Sequence, residues 1–268
     1  LYEISYQTTK RRDLSAIVVI LFAINTNWTE IILWISGQTI SITVLFILLT
    51  MLSIWKRKGE WIWLLLSSWT SALAVGVVLA STVVFKKMRW AGAIILIVLG
   101  LIYKLWGTDG TKITYSLDWA IKVAEVAVLM MVNTVIGRLV IPFDKYEVLR
   151  IALVIVGGVI LAWKYRSRTC ELWSDQWSRF LIVQMLFYNL IVAVGRAQYG
   201  VGIMRAERYA YLGLALLLLI GARILRNTKI DKWLWVVFIL VGLQIIGFYR
   251  RANDYIARPQ QLKQLISN

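Results

Sequence analysis

The chain has 268 residues, 60% of them hydrophobic, a mean hydropathy of +0.71 and a formal net charge of +16 from 30 Lys+Arg against 14 Asp+Glu. It contains no His and one Cys, which excludes an internal disulfide, a thiolate metal cluster, a His-based zinc or haem site and His-dependent acid–base catalysis within this chain. The basic excess does not point to nucleic acid, because the cations sit mainly at the ends of apolar segments, where they snorkel to headgroups and orient a membrane protein.

In chain order, residues 1–13 form a polar connector that begins without Met and lacks the small-residue cleavage pattern of a signal peptide. The expectation is therefore the later part of a longer membrane domain. About nine apolar segments follow, at 14–24, 31–55, 61–85, 90–106, 117–141, 148–163, 180–194, 209–224 and 233–248. Crossing a hydrocarbon core of about 30 Å takes roughly 20 apolar residues. Lipid cannot satisfy open backbone groups and no strand alternation appears, so all are expected to be helices. The fold class is all-α, a polytopic transmembrane bundle of about nine to ten spans. No polar stretch is long enough for a second core, so residues 1–268 read as one domain with a polar tail at 250–268.

Two basic clusters, Lys56-Arg57-Lys58 and Lys86-Lys87 with Arg89, flank the segment 61–85. Both suit the cytoplasmic side, yet an unbroken helix would place them on opposite sides. A break at Ser67, Ser68, Thr70 and Ser71 would reconcile them. Trp28, Trp34, Trp55, Trp61, Trp163 and Trp177 lie near segment ends, like interfacial belts.

Ionisable groups within spans are costly, so each is a functional candidate. Asp118, Lys122 and Glu125 share one helical face, continued approximately by Asn133, with Arg138 near the far end. They form either the wall of a polar cavity or an interfacial stripe of local ion pairs. Glu30 lies in the turn Asn25-Thr26-Asn27-Trp28-Thr29-Glu30 with no adjacent base; it suits contact with a divalent cation or an acceptor hydroxyl, or simple hydration at the interface. Asn27-Trp28-Thr29 fits the glycosylation pattern, but so near the membrane it is expected to be unused. Arg196, Arg205, Arg208 and Tyr209 surround Gly195, Gly200 and Gly202. Arg forks bind phosphate and Gly lets a ligand approach the backbone, so this segment suits a lipid phosphate or an ordinary headgroup-gripping loop.

The stretch Ala23-Ile24-Asn25-Thr26-Asn27-Trp28-Thr29-Glu30, then Trp34-Ile35-Ser36-Gly37 and the span around Leu45-Phe46-Ile47-Leu48-Leu49, resembles the GT-C membrane glycosyltransferases, in particular the protein O-mannosyltransferase-like branch. Glu207-Arg208-Tyr209-Ala210-Tyr211-Leu212 resembles that family's Asp-Arg-Tyr-x-Tyr-Leu element, and Asn253-Asp254-Tyr255 sits where a Trp-x-Asp-like element often follows. The likeness covers most of the chain in order and hydropathy, through short motifs. The chain departs where Asn25 and Trp28 replace His, Gln38 replaces Arg, Ile40 replaces Asp, and Ser71-Ala72 replaces Lys-Glu. The family's acidic residue in the first external loop has no counterpart within these residues.

The resemblance implies transfer of a sugar from a polyprenyl-phosphate carrier to an acceptor at the outer membrane face. It assigns Glu30 to acceptor or metal contact as the catalytic residue, Arg208 with Tyr209 to the lipid phosphate, and Arg196 and Arg205 as auxiliary cations. The implied partners are membrane lipids, the lipid-linked sugar and a partner membrane chain, with no nucleic acid; a divalent cation is the one cofactor the carboxylates leave room for. A plasma-membrane location is expected in a prokaryote and the endoplasmic reticulum in a eukaryote. A non-catalytic membrane subunit and a transporter or lipid flippase are the alternatives.

Overall fold

The computed structural model describes residues 1–23, 35–70, 72–106, 116–135, 166–197 and 210–228, together with 152, 155–157, 159–160, 163–164 and 242. Among the described residues every regular element is helical and there is no strand. The elements are α1 (Tyr2–Thr9), α2 (Arg12–Ala23), α3 (Ile35–Lys56), α4 (Glu60–Thr70), a 3-10 turn (Ala72–Ala74), α5 (Val75–Val84), a second 3-10 turn (Lys86–Met88), α6 (Arg89–Trp106), α7 (Leu117–Val135), α8 (Arg166–Ser174), α9 (Gln176–Arg196) and α10 (Ala210–Leu225).

The helix ends follow local chemistry. Lys10, in the left-handed region at φ 58°, closes α1 by donating its N–H to the Tyr6 carbonyl. At the end of α3, Arg57 and Gly59 both have positive φ, and the Lys58 N–H reaches the Ser53 carbonyl at 3.1 Å. Gly59 takes φ +65° at no steric cost. Asp175 opens α9 as an N-cap, its carboxylate accepting from the Ser178 N–H at 2.8 Å and the Ser178 hydroxyl at 2.7 Å.

Helix α9 lies at the centre, packed against α5, α7, α8 and α10, while α2 and α1 cover α10. The core stripe of α3 reads Ile40, Val44, Ile47, Met51 and Ile54, spacings of four and three that keep one face inward. Polar side chains are also inside: Thr43, Thr50, Ser67, Ser81, Thr134, Gln184 and Asn189 are buried. For several of the hydroxyls the cost is limited by back-bonding within the helix, whereas both polar atoms of the Gln184 amide and Asn189 Oδ1 have no described hydrogen-bond partner. The Thr50 hydroxyl donates to the Phe46 carbonyl at 2.8 Å, Ser81 to Val77 at 2.6 Å and Thr134 to Met130 at 2.9 Å.

Two glycines mark close crossings. A Cβ on Gly92 would lie 1.9 Å from the Thr82 hydroxyl, where α6 meets α5, and one on Gly213 would lie 2.8 Å from the Thr134 hydroxyl, where α10 meets α7. Such approaches bring the helix axes close and gain van der Waals contact.

The all-helical part of the expected fold is shown among the described residues, and the count of nine to ten spans is not. Among the described residues one helix, Gln176–Arg196, is long and apolar enough to cross a membrane; Ile40–Lys56, Val75–Val84 and Tyr211–Leu225 are shorter apolar helices. One expected span, the segment 61–85, is not a single helix. It breaks after Thr70 into α4 and α5, of 11 and 10 residues, each about 15–16 Å long. The expected break at Ser67–Ser71 is therefore present, and α4 and α5 form a helical hairpin. The segment 233–248 and the tail from 250 fall outside the described residues, save 242.

Candidate functional site

Three chain turns meet at one end of the bundle. The α3–α4 turn brings Arg57 and Glu60, the α5–α6 turn brings Lys86, Lys87 and Arg89, and the start of α9 brings Gln176, Trp177 and Arg179. The Lys87 ammonium donates to Glu60 Oε1 at 3.1 Å, and Gln176 Nε2 donates to the Val84 carbonyl at 3.2 Å. Together they close the base of the hairpin and pin it to α9. Between them lies a cavity of about 930 Å³.

One wall of the cavity is aromatic. The Trp177 ring lies 4.8 Å from Trp55, 5.7 Å from Phe85 and 5.3 Å from Phe180, centroid to centroid. The edge and tilted geometries are those aromatic quadrupoles favour. The other wall is cationic. Lys87 is neutralised by Glu60, whereas Arg57, Lys86, Arg89 and Arg179 form no ion pair with a described carboxylate. Glu60 is 7% exposed. Burial by itself would raise its pKa, but its own backbone N–H and the Lys87 ammonium together hold it below the usual carboxylate value.

A second polar node ties the same end together. Arg223, at the end of α10, pairs with Asp175 at 2.6 Å, donates to the Ser178 hydroxyl at 3.2 Å and donates to the Thr8 carbonyl at the end of α1. Arg11 donates to the carbonyls of Arg226 and Thr228 beyond α10. Burial pushes the Asp175 carboxyl upward, but the Ser178 hydroxyl and N–H and the Arg223 guanidinium outweigh it and leave its pKa lowered. A smaller cavity of about 290 Å³ lies here, bounded by Glu171, Asp175, Arg223 and Arg226. The Arg11 and Arg223 guanidiniums are engaged by carbonyls and a carboxylate of neighbouring helix ends, so this node is a clasp.

These contacts place Lys10–Arg12, Lys56–Lys58, Lys86–Arg89, Arg223 and Arg226 at one end. At the opposite end, Phe22 of α2 packs on Tyr211 of α10 at 4.7 Å, and α9 finishes at the half-buried Arg196. Of the residues singled out from the sequence, Arg196 alone of its group is described, and it lies at this far end. Glu30, Arg205, Arg208 and Tyr209 lie outside the described residues. The helices that flank them have their near ends there: α2 finishes at Ala23, α9 at Arg196, and α10 begins at Ala210.

Asp118, Lys122 and Glu125 do share one face of α7, but it is the exposed one; Val123, Val126 and Met130 take the buried face. None of the three lines either of the two cavities described above. Nor do they form the alternative local ion pairs; none of the described salt bridges joins them. Among the described residues no group of three or more carboxylates or thiols is placed to hold a metal ion.

Read from the residues alone, the basic clusters only snorkel to headgroups and set topology. The cavity they enclose was visible only as a hint, a lone acidic Glu60 set between two cationic runs. Comparison of the chain with family models, with curated proteins and with solved structures returns no match.

Proposed function

We propose that the chain is a multi-pass membrane protein that transfers a sugar from a polyprenyl-phosphate carrier, as the GT-C glycosyltransferases it resembles do. Membrane placement is supported by an inside-out polarity. Trp69, Trp90, Ile97 and Val159 are exposed at 76, 84, 62 and 63%, while Ser, Thr, Gln and Asn side chains are buried. In water those faces would be a severe aggregation liability; in lipid they are simply solvated.

The observation that carries the functional reading is the separation of the two ends. The basic turns gather at one end, which the positive-inside rule assigns to the cytoplasm. The helices flanking Glu30 and the Arg205–Tyr209 segment have their near ends at the other, the face where transfer from a lipid carrier is expected. In the proposed step the acceptor hydroxyl attacks the anomeric carbon. Its proton passes to a base, Glu30 in this assignment, while the bond to the lipid phosphate breaks and that phosphate leaves with the electron pair. Arg208 and Tyr209, aided by Arg196 and Arg205, stabilise the departing charge.

The test is a transfer assay with the full chain in lipid nanodiscs, using a radiolabelled polyprenyl-phosphate sugar. Arg208→Ala is expected to abolish transfer with insertion intact; unchanged turnover sinks the assignment. A second reading, a transporter, is favoured by the α4–α5 hairpin, since interrupted helices are common around transporter substrate sites. Flux of labelled substrate across proteoliposomes without covalent transfer would establish that reading instead.

A further inference from the structure

We propose that the cavity at the base of the α4–α5 hairpin is a binding site for the phosphate of an anionic lipid headgroup in the cytoplasmic leaflet. It is separate from the transfer site proposed above and does not depend on glycosyl transfer.

Four observations converge on it. The cavity, about 930 Å³, is far larger than one water and of the size of a small-molecule site. Its charge is one-sided, because Glu60 answers Lys87 alone and Arg57, Lys86, Arg89 and Arg179 have no described carboxylate partner. Three helices, α4, α6 and α9, begin at its rim with Glu60, Arg89 and Gln176. The N-terminal ends of their helix dipoles add partial positive charge there, offset at α9 by the Asp175 N-cap. The opposite wall holds Trp55, Trp173 and Trp177, amphipathic rings that suit the headgroup level of a bilayer. Cations clustered this closely repel one another unless an anion sits between them. A phosphate diester supplies that charge and several acceptor oxygens, and Arg57, Arg89 and Arg179 supply guanidinium donors.

The lipid is favoured over a soluble phosphate by the exposed surface beside the cavity. From Trp90, next in the chain to the cavity-lining Arg89, α6 continues as an exposed apolar stripe through Ile94, Ile97, Val98 and Leu101. A headgroup held in the cavity would lay its acyl chains along that stripe; a soluble anion would leave it unused.

The full chain in nanodiscs of zwitterionic lipid is the system to test, doped with spin-labelled phosphatidylglycerol or, separately, spin-labelled phosphatidylcholine. Immobilised label is read by electron paramagnetic resonance. The wild type is expected to retain about one phosphatidylglycerol per chain with no matching phosphatidylcholine component. The triple replacement Arg57→Gln, Arg89→Gln, Arg179→Gln is expected to lower that preference by on the order of 100-fold, at roughly fivefold per cation. A control with the same charge change outside the cavity, Lys10→Gln, Lys58→Gln, Arg166→Gln, is expected to keep the immobilised component. Equal loss in both variants would mean diffuse surface attraction and overturn the site. Displacement of the label by millimolar inorganic phosphate would identify a soluble anion as the occupant and overturn the lipid assignment. Absence of an immobilised component in the wild type would overturn the proposal without recourse to any variant.

Discussion

Lys87 Nζ lies 3.1 Å from Glu60 Oε1, across 27 positions of sequence. A continuous helix from Glu60 to Val84 would hold its two ends about 37 Å apart, so this one contact shows that the chain turns back. The turn is at the Ala72–Ala74 3-10 element, following a run in which the Ser67, Ser68 and Thr70 hydroxyls each donate to the carbonyl three residues earlier. Side-chain hydroxyls competing for backbone carbonyls weaken a helix locally. The hairpin puts both flanking basic clusters on one side.

Labelling from one side checks that relationship directly. In a Cys170→Ser background, needed because Cys170 is exposed, single Arg57→Cys and Lys86→Cys variants are expected to react with an impermeant maleimide from the same side of sealed vesicles. Reaction from opposite sides would mean that the segment spans the membrane.

The clasp around Arg223 makes a second prediction. Its side chain is 12% exposed and bridges α10 to Asp175, Ser178 and the end of α1. Arg223→Leu strands the Asp175 carboxylate, which at 35% exposure is partly relieved by solvent. A loss of about 2 kcal/mol is expected, below the range for fully buried pairs. Denaturant unfolding in mild detergent would measure it, and a loss under a few tenths of a kcal/mol would show that the clasp is not structural.

The same carboxylate sets an acid limit. Asp175 is held below its ordinary pKa by Ser178 and Arg223, despite partial burial. The folded state therefore binds its proton less readily than the unfolded state does. The stabilisation is complete above the unfolded value of about 3.9 and is lost as pH falls through the lower folded value. Melting temperatures between pH 2 and 6 are expected to fall more steeply for the wild type than for Asp175→Asn. Parallel curves would remove Asp175 from the acid response.

Close packing of α5 on α6 supplies a fourth test. Gly92→Ala drives a methyl to within 1.9 Å of the Thr82 hydroxyl, which is itself bonded to the Val78 carbonyl at 2.7 Å. The expected cost is about 1–3 kcal/mol. Adding Thr82→Ala removes the clashing oxygen and is expected to restore most of it, a coupling that a double-mutant cycle reads out. Failure of the second change to help would place the strain elsewhere.

Much of this molecule was legible in its residues because the relevant physics is local. Segment composition predicted helices, and the Ser67–Ser71 run offered a break that would bring the flanking basic clusters to a common side, without deciding it. Periodicity also put Asp118, Lys122 and Glu125 on one face. It could not say which neighbour that face meets, and tertiary packing turned Val123 and Val126 inward and the charges outward. The cavity depended on tertiary structure altogether. Its walls come from the ends of α3, α5 and α8 and the starts of α4, α6 and α9, brought together by contacts such as Trp55 on Trp177 and Gln176 on Val84. No local preference encodes the meeting of residues so far apart in the chain; only the packing of α5 against α9 decides which cations face one another.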